Sequence, residues 1–127
     1  MSGTTTKTRP TMNCRPGDVV LIRFPFTDLS SSKKRPAVVV SPGEYQKSYG
    51  DLVLIPVTSK EQVDSALKIE EWESAGLLKP SWLKPLVATI SGTYVLASLG
   101  RIDLSDSEAL FHAVSCMLDE SVLTVAA

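Results

Sequence analysis

What most constrains this chain is a succession of short aliphatic and β-branched runs, each broken off by proline, glycine or serine. VVLIRF (19–24), AVVVS (37–41), DLVLIPVTS (51–59), ALKIEEW (66–72), WLKPLVATI (82–90) and YVLASLGRI (94–102) follow one another along the chain. Runs of this length and composition read as strands. Six of them in about a hundred residues indicate a compact barrel or sandwich. AVVV, four apolar residues in a row, is expected to be buried on both faces. Pro56 lacks the N–H that a central strand needs, so it predicts an edge or a bulge. Alternation in ALKIEEW puts Leu67 and Ile69 on one face, and Gly76 beyond it supplies a turn. Ser91-Gly92-Thr93 joins the last two strands, and GEYQKSYGD (43–51) reads as a turn region.

Near the end of the chain the period changes. Ser105 and Glu108 have the spacing of a capping box, and Ala109, Leu110, Ala113, Val114, Met117 and Leu118 recur at helical intervals. This predicts a C-terminal amphipathic helix of about three to four turns. The expected class is therefore mainly β (α+β). With 127 residues, 43% of them hydrophobic, the chain can build one core but hardly two. Residues 1–15 are polar and rich in threonine, and are expected to form a flexible N-terminal arm ahead of a single domain at 16–127.

Charge is unevenly spread. Residues 1–50 carry eight Lys/Arg against three Asp/Glu and the remainder five against eleven, so a basic face can sit on an acidic body although the net charge is only -1. Cys14 and Cys116 are too few for a disulfide framework, which favours a reducing compartment. No run reaches membrane-spanning length and the leader lacks a signal peptide's apolar segment. These features predict a soluble cytoplasmic protein with no membrane partner.

Few residues offer chemistry. The one histidine, His112, falls opposite the Leu110/Val114/Met117 stripe and reads as a solvated surface residue. One histidine, two distant cysteines and scattered carboxylates present no metal-ligand spacing, so no metal or other cofactor is expected. The Glu70, Glu71, Glu73 group reads as a solvated edge. There remains KKRP (33–36) ahead of the buried run. Lys33 and Lys34 can simply solubilise a loop while Arg35 pairs with a carboxylate. Alternatively Arg35, held one residue before a fixed strand, is a guanidinium fork aimed at a phosphate. Spacing alone leaves both readings open.

PGDVVLIRFPFTDLSSSKKRPAVVVSP (16–42), GDLVLIPVTS (50–59), AGLLKPS (75–81) and LGRIDLSDSEALFHAV (99–114) occur in an order that resembles the PemK/MazF-like toxins of type II toxin-antitoxin systems. The resemblance covers all but the leader and the last few residues. It implies an SH3-like, PemK-type small β-barrel with a C-terminal helix, forming a homodimer. It also implies a metal-independent endoribonuclease, an mRNA interferase, that cuts single-stranded RNA into 2',3'-cyclic phosphate and 5'-hydroxyl ends and is neutralised by a cognate antitoxin.

The family's catalytic arginine falls on Arg35 and its partner threonine on Thr58 of PVTS. The loop 27–34 helps to form the substrate channel in relatives, which makes Lys33 and Lys34 candidate RNA contacts. Arg23, Ser59, Lys79 and Ser81 are weaker ones. Two positions depart from the common pattern. Lys79-Pro80-Ser81 stands where many members carry an acidic D-Q pair, and Arg23 stands where an aspartate often faces the substrate, so the general base has no counterpart. The same barrel also carries gyrase-poisoning toxins that bind a protein target. That reading and an RNA-binding regulator are the alternatives.

Overall fold

Valine and isoleucine stiffen the backbone in extended conformations, and the two runs richest in them pair with each other. In the computed structural model, which describes residues 12–23 and 33–118, β1 (Asp18–Arg23) runs antiparallel to β2 (Lys34–Val39). Val19 lies opposite Val38 and Ile22 opposite Arg35. β3 (Asp51–Thr58) flanks β2, with Ala37 opposite Pro56. Further on come β4 (Lys68–Ile69), β5 (Ser81–Leu83), β6 (Ala88–Ser91) and β7 (Val95–Arg101). The sheet order is β4-β5-β3-β2-β1-β7, with β6 also on β3, and every pair is antiparallel. Register shifts between Val19 and Val20 and between Leu21 and Ile22, where β1 meets β7, add local bend and twist. The result is a curled half-barrel closed by a C-terminal helix.

Both sheet faces carry a core. On one, Val19, Val38, Ile55, Val57 and Leu83 pack with Leu67, Ile69 and the helix residue Ala113. On the other, Val20, Ile22, Ala37, Val39, Leu52 and Leu54 pack with Ile90 and Cys14. Ala37, Val38 and Val39 are thus buried on alternate faces, as the apolar run predicted, and Val40 is partly buried. Cys14 belongs to the core although it was assigned to a flexible arm. Its N–H donates to Gln46 Oε1 at 2.7 Å, and Gln46 Nε2 donates to the Met12 carbonyl at 2.6 Å. The remainder of the arm (1–11), residues 24–32 of the polar loop and the chain end (119–127) lie outside the described residues.

Other expectations need correcting. GEYQKSYGD is mostly helix, α1 (Gly43–Tyr49), closed by Gly50 at φ 76°, whose N–H donates to the Gln46 carbonyl. ALKIEEW has only two strand residues. Leu67 and Ile69 are buried as expected, but the next two backbone N–H groups, of Glu70 and Glu71, donate to the buried Asp106 carboxylate at 2.9 and 2.8 Å. A side chain there replaces a strand partner, and the chain turns. WLKPLVATI splits into β5 and β6 around Pro85. Pro56 is neither at an edge nor at a bulge of the β2 pairing. It lies where β3 passes from β6 to β5: its carbonyl accepts from Lys84 N at 2.9 Å, and the Lys84 carbonyl, which its missing N–H would have met, accepts from Leu86 N at 2.7 Å instead.

The C-terminal helix α2 (Ser107–Met117) has three turns, within the predicted length. The Ser105/Glu108 capping box does not form. Asp103 caps a preceding 3-10 turn by accepting from Ser105 N at 3.0 Å, and the Ser105 hydroxyl donates back to Asp103 at 2.7 Å. Ala109, Leu110, Val114 and Met117 pack on the core, whereas Leu118 is exposed. Among the described residues no helix is long and apolar enough to cross a membrane.

Candidate functional site

Strand register assembles the site. In the β2–β3 pair Val38 lies opposite Ile55 and Ala37 opposite Pro56. Arg35 and Thr58 each lie two residues beyond the Ala37–Pro56 pair, on their own strands. Thr58 lies opposite Trp82, and Trp82 opposite Lys68. Directly opposed residues in an antiparallel pair share a face, so Thr58, Trp82 and Lys68 form one row across three strands, spaced by roughly 4.8 Å per strand. Lys68 Nζ sits 5.8 Å from the Trp82 ring centroid, within cation–π range.

Beside this row opens a cleft of about 490 Å³, a size typical of small-ligand sites. Its polar lining consists of Lys34, Arg35, Thr58, Ser59, Lys79 and Ser81, and its apolar wall includes Leu21, Val57, Leu77 and Leu99. None of the described lining residues is acidic. Three cations with no described acid among them favour an anionic ligand. Six of the eight residues singled out from the sequence thus meet there. Lys33 and Arg23 do not line it, although Arg23 sits opposite Lys34 at the same end of the sheet.

Each of these side chains has a definable freedom. Arg35 is exposed on a strand whose next residues are half-buried Pro36 and fully buried Ala37, so its backbone is held while its guanidinium is not. Among the described residues the ion pairs are Asp18–Arg101 and Asp64–His112, and no described carboxylate neutralises Arg35. Thr58 Oγ1 accepts from Lys60 N at 3.1 Å, which orients the hydroxyl and leaves its proton available to a ligand. Ser81 differs: it is buried, and its hydroxyl donates to the Lys79 carbonyl at 2.7 Å. Its proton holds the Lys79-Pro80 turn and is not free for a ligand.

The cleft wall depends on a close backbone approach. Gly76 has φ 89°, and a Cβ there would lie 2.0 Å from the Leu99 carbonyl oxygen; a Cβ on Gly100 would lie 2.6 Å from that of Ala75. Only glycines let the 75–76 turn seat on β7 and bring Leu77 and Leu99 together. The turn conformation expected at Gly76 is present, and its role in shaping the cleft is added by the fold.

Two features escaped the sequence reading. Trp82 and Lys68 join Thr58 in one row only through strand pairing, since nothing in ALKIEEW or WLKPL announces it. The second feature lies on α2. His112 is half-exposed, as expected, but it is not merely solvated: Nε2 is 2.6 Å from Asp64 Oδ2 and 3.5 Å from Cys116 Sγ. The three ligand atoms lie within 4.8 Å of one another, contrary to the expectation that no such set exists. The hydrogen bond to His112, followed by that from Ala66 N–H, holds the Asp64 carboxyl below its ordinary value. The four-residue spacing of His112 and Cys116 was visible in the sequence; the approach of Asp64 was not.

Comparison with known proteins bears on the whole arrangement. The crystal structure of the MazE-MazF complex (Form-III) from Deinococcus radiodurans is 18% identical over 84% of this chain and 97% of its own, with a TM-score of 0.66. MazF (Form-I) from the same organism is 16% identical, covers 84% and 96%, and has a TM-score of 0.64. Mycobacterium tuberculosis toxin MazF-mt6 is 17% identical over 80% and 96%, with a TM-score of 0.65. At such identities the likeness shows the fold: a curled antiparallel sheet with a C-terminal helix. No curated protein sequence matches the chain. The sequence pattern of the PemK-like, MazF-like toxins of type II toxin-antitoxin systems matches residues 15–118, which span both cores, the cleft and α2. The chain belongs to that toxin family.

Proposed function

We propose that this protein is an endoribonuclease that cuts single-stranded RNA in the Arg35–Thr58 cleft. The observation that carries this reading is one cleft lined by both Arg35, which no described carboxylate neutralises, and Thr58, whose hydroxyl proton is available, with no acid among its described lining residues. Members of this toxin family are generally endoribonucleases.

Such a site needs no protein nucleophile. The 2'-hydroxyl oxygen attacks the adjacent phosphorus, the bond to the 5' oxygen breaks, and a 2',3'-cyclic phosphate and a 5'-hydroxyl end result. Charge gathers on the equatorial phosphate oxygens as this happens. The Arg35 fork stabilises it, with Thr58 donating a hydrogen bond to the same group. DNA has no attacking hydroxyl, so RNA is the substrate. Lys34 and Lys79 at the cleft hold neighbouring phosphates, which positions the strand without reading its sequence. Trp82 offers a ring on which a base can stack. The cleft's described polar residues suit catalysis by positioning and charge stabilisation.

The same positive cleft suits an acidic antitoxin segment. One structural relative is described as an endoribonuclease from Mycobacterial species in complex with its cognate antitoxin. The reading extends to a homodimer acting in the cytoplasm and held inactive by such a partner.

The test is incubation of the purified protein with single-stranded RNA in EDTA, followed by analysis of the new ends. Cleavage to 5'-hydroxyl and 2',3'-cyclic phosphate termini is expected, and Arg35→Ala should lose most of it while remaining folded. RNA that stays intact removes the enzyme reading; salt-dependent binding without cleavage would instead identify an RNA-binding regulator.

A further inference from the structure

The geometry points to a second site, away from the cleft: we infer that Asp64, His112 and Cys116 bind a borderline-soft divalent cation such as Zn²⁺. His112 and Cys116 are four residues apart on α2, so both project from one side of the helix. Asp64 arrives from the segment after β3, where it caps the Ser65–Leu67 turn. The set supplies one nitrogen, one sulfur and one oxygen ligand. That mixture suits zinc, whereas magnesium and calcium take oxygen ligands.

The His112–Cys116 spacing agrees with a tetrahedral centre. Bonds of about 2.3 Å to sulfur and 2.0–2.1 Å to nitrogen place those two ligands about 3.6 Å apart, and His112 Nε2 and Cys116 Sγ are 3.5 Å apart. The Nε2 to Asp64 Oδ2 separation of 2.6 Å is that of a hydrogen bond. It must open by roughly 0.7 Å to fit a metal, a small rotation for two half-exposed side chains. The metal binds a neutral imidazole through the Nε2 lone pair, with the ring proton on Nδ1, and the thiol proton passes to solvent. Asp64 is already oriented by a second interaction, because its Oδ1 accepts from Ala66 N at 3.0 Å. Outer contacts of this kind fix metal ligands in place. Exposure leaves the fourth position to water. A bound ion would tie α2 to the turn that leads away from Thr58. None of the three ligands lines the cleft, so the inference stands independently of RNA cleavage.

The test is a titration of the reduced, full-length protein with Co²⁺, followed optically. One equivalent is expected to produce a thiolate-to-cobalt charge-transfer band and d–d bands of tetrahedral intensity, both displaced by Zn²⁺. Zinc should also raise the melting temperature. Cys116→Ser should abolish the charge-transfer band, and His112→Ala and Asp64→Asn should each weaken binding at least tenfold, in line with about 10- to 100-fold losses for outer-shell changes alone. All three side chains are at least partly exposed, so the variants are expected to stay folded by circular dichroism. Cys14 is a built-in control, since its thiol is buried, and burial together with the negative charge of Asp18 raises its pKa. No charge-transfer band with excess cobalt, or a band that survives Cys116→Ser, would overturn the assignment.

Discussion

The two ends of β2 are built for opposite purposes within six residues. At the Ala37–Val39 end each side chain is fully buried, alternating between the two cores. At the Lys34–Arg35 end the side chains are exposed and positive, and they line a cleft with no acid among its described residues. Pro36 stands between them, half-buried. One end converts apolar area into backbone rigidity; the other spends none of its charge on internal partners among the described residues. The comparison teaches that Arg35 is aimed by residues it does not touch. A cation on a floppy loop would carry the same charge but could not be held at one cleft with Thr58.

Predictions that separate the two ends follow from the largest effect to the smallest. If Arg35 stabilises transition-state charge, Arg35→Ala should lower the rate of RNA cleavage by about 10²- to 10³-fold. Its melting temperature should barely move, because exposed substitutions usually change stability by about 0.5 kcal/mol or less. Val38→Ala should do the reverse at first: a cost of about 2.5 kcal/mol in denaturant unfolding from lost burial and the residual cavity, with cleavage kept in the fraction that remains folded. Equal loss of rate and stability in either variant would erase the distinction.

Asp106→Ala probes the remote support of the cleft. It strips two partly buried backbone N–H groups of their acceptor, and a cost of about 2 kcal/mol is expected in urea unfolding. Lys34→Ala should show the smallest effect. A phosphate contact without a catalytic role predicts RNA binding weakened a few-fold, with the salt slope reduced by roughly 0.7, and no measurable change in stability. A loss as large as that of Arg35→Ala would place Lys34 in the chemistry.

Much of this was legible beforehand because it depends on local pattern. AVVV could only be a strand buried on both sides, and Ala109, Leu110, Ala113, Val114 and Met117 could only be one helix face. Gly76 announced its turn. Other elements misled because a distant group intervened. ALKIEEW alternates like a strand, yet Asp106, 35 positions beyond Glu71, takes the hydrogen bonds that would have extended it. Ser105 and Glu108 have capping-box spacing, yet Asp103, two residues before Ser105, accepts from both its N–H and its hydroxyl. GEYQKSYGD is too short for a clear helical period, and its glycine reads equally as turn or C-cap.

By itself, then, the sequence determined the strand-rich class, the buried run behind Arg35, the C-terminal helix and the family, because periodicity and motif order survive in one dimension. Only the tertiary structure decided which residues meet. Strand register put Trp82 and Lys68 in line with Thr58, the sheet brought Arg35 and Thr58 to one cleft, the 75–76 turn on β7 walled it, and the packing of α2 brought His112 and Cys116 to Asp64. Those are long-range pairings, and a one-residue slip in any strand would point its side chains to the opposite face. The spacing of residues along the chain carries no record of that choice.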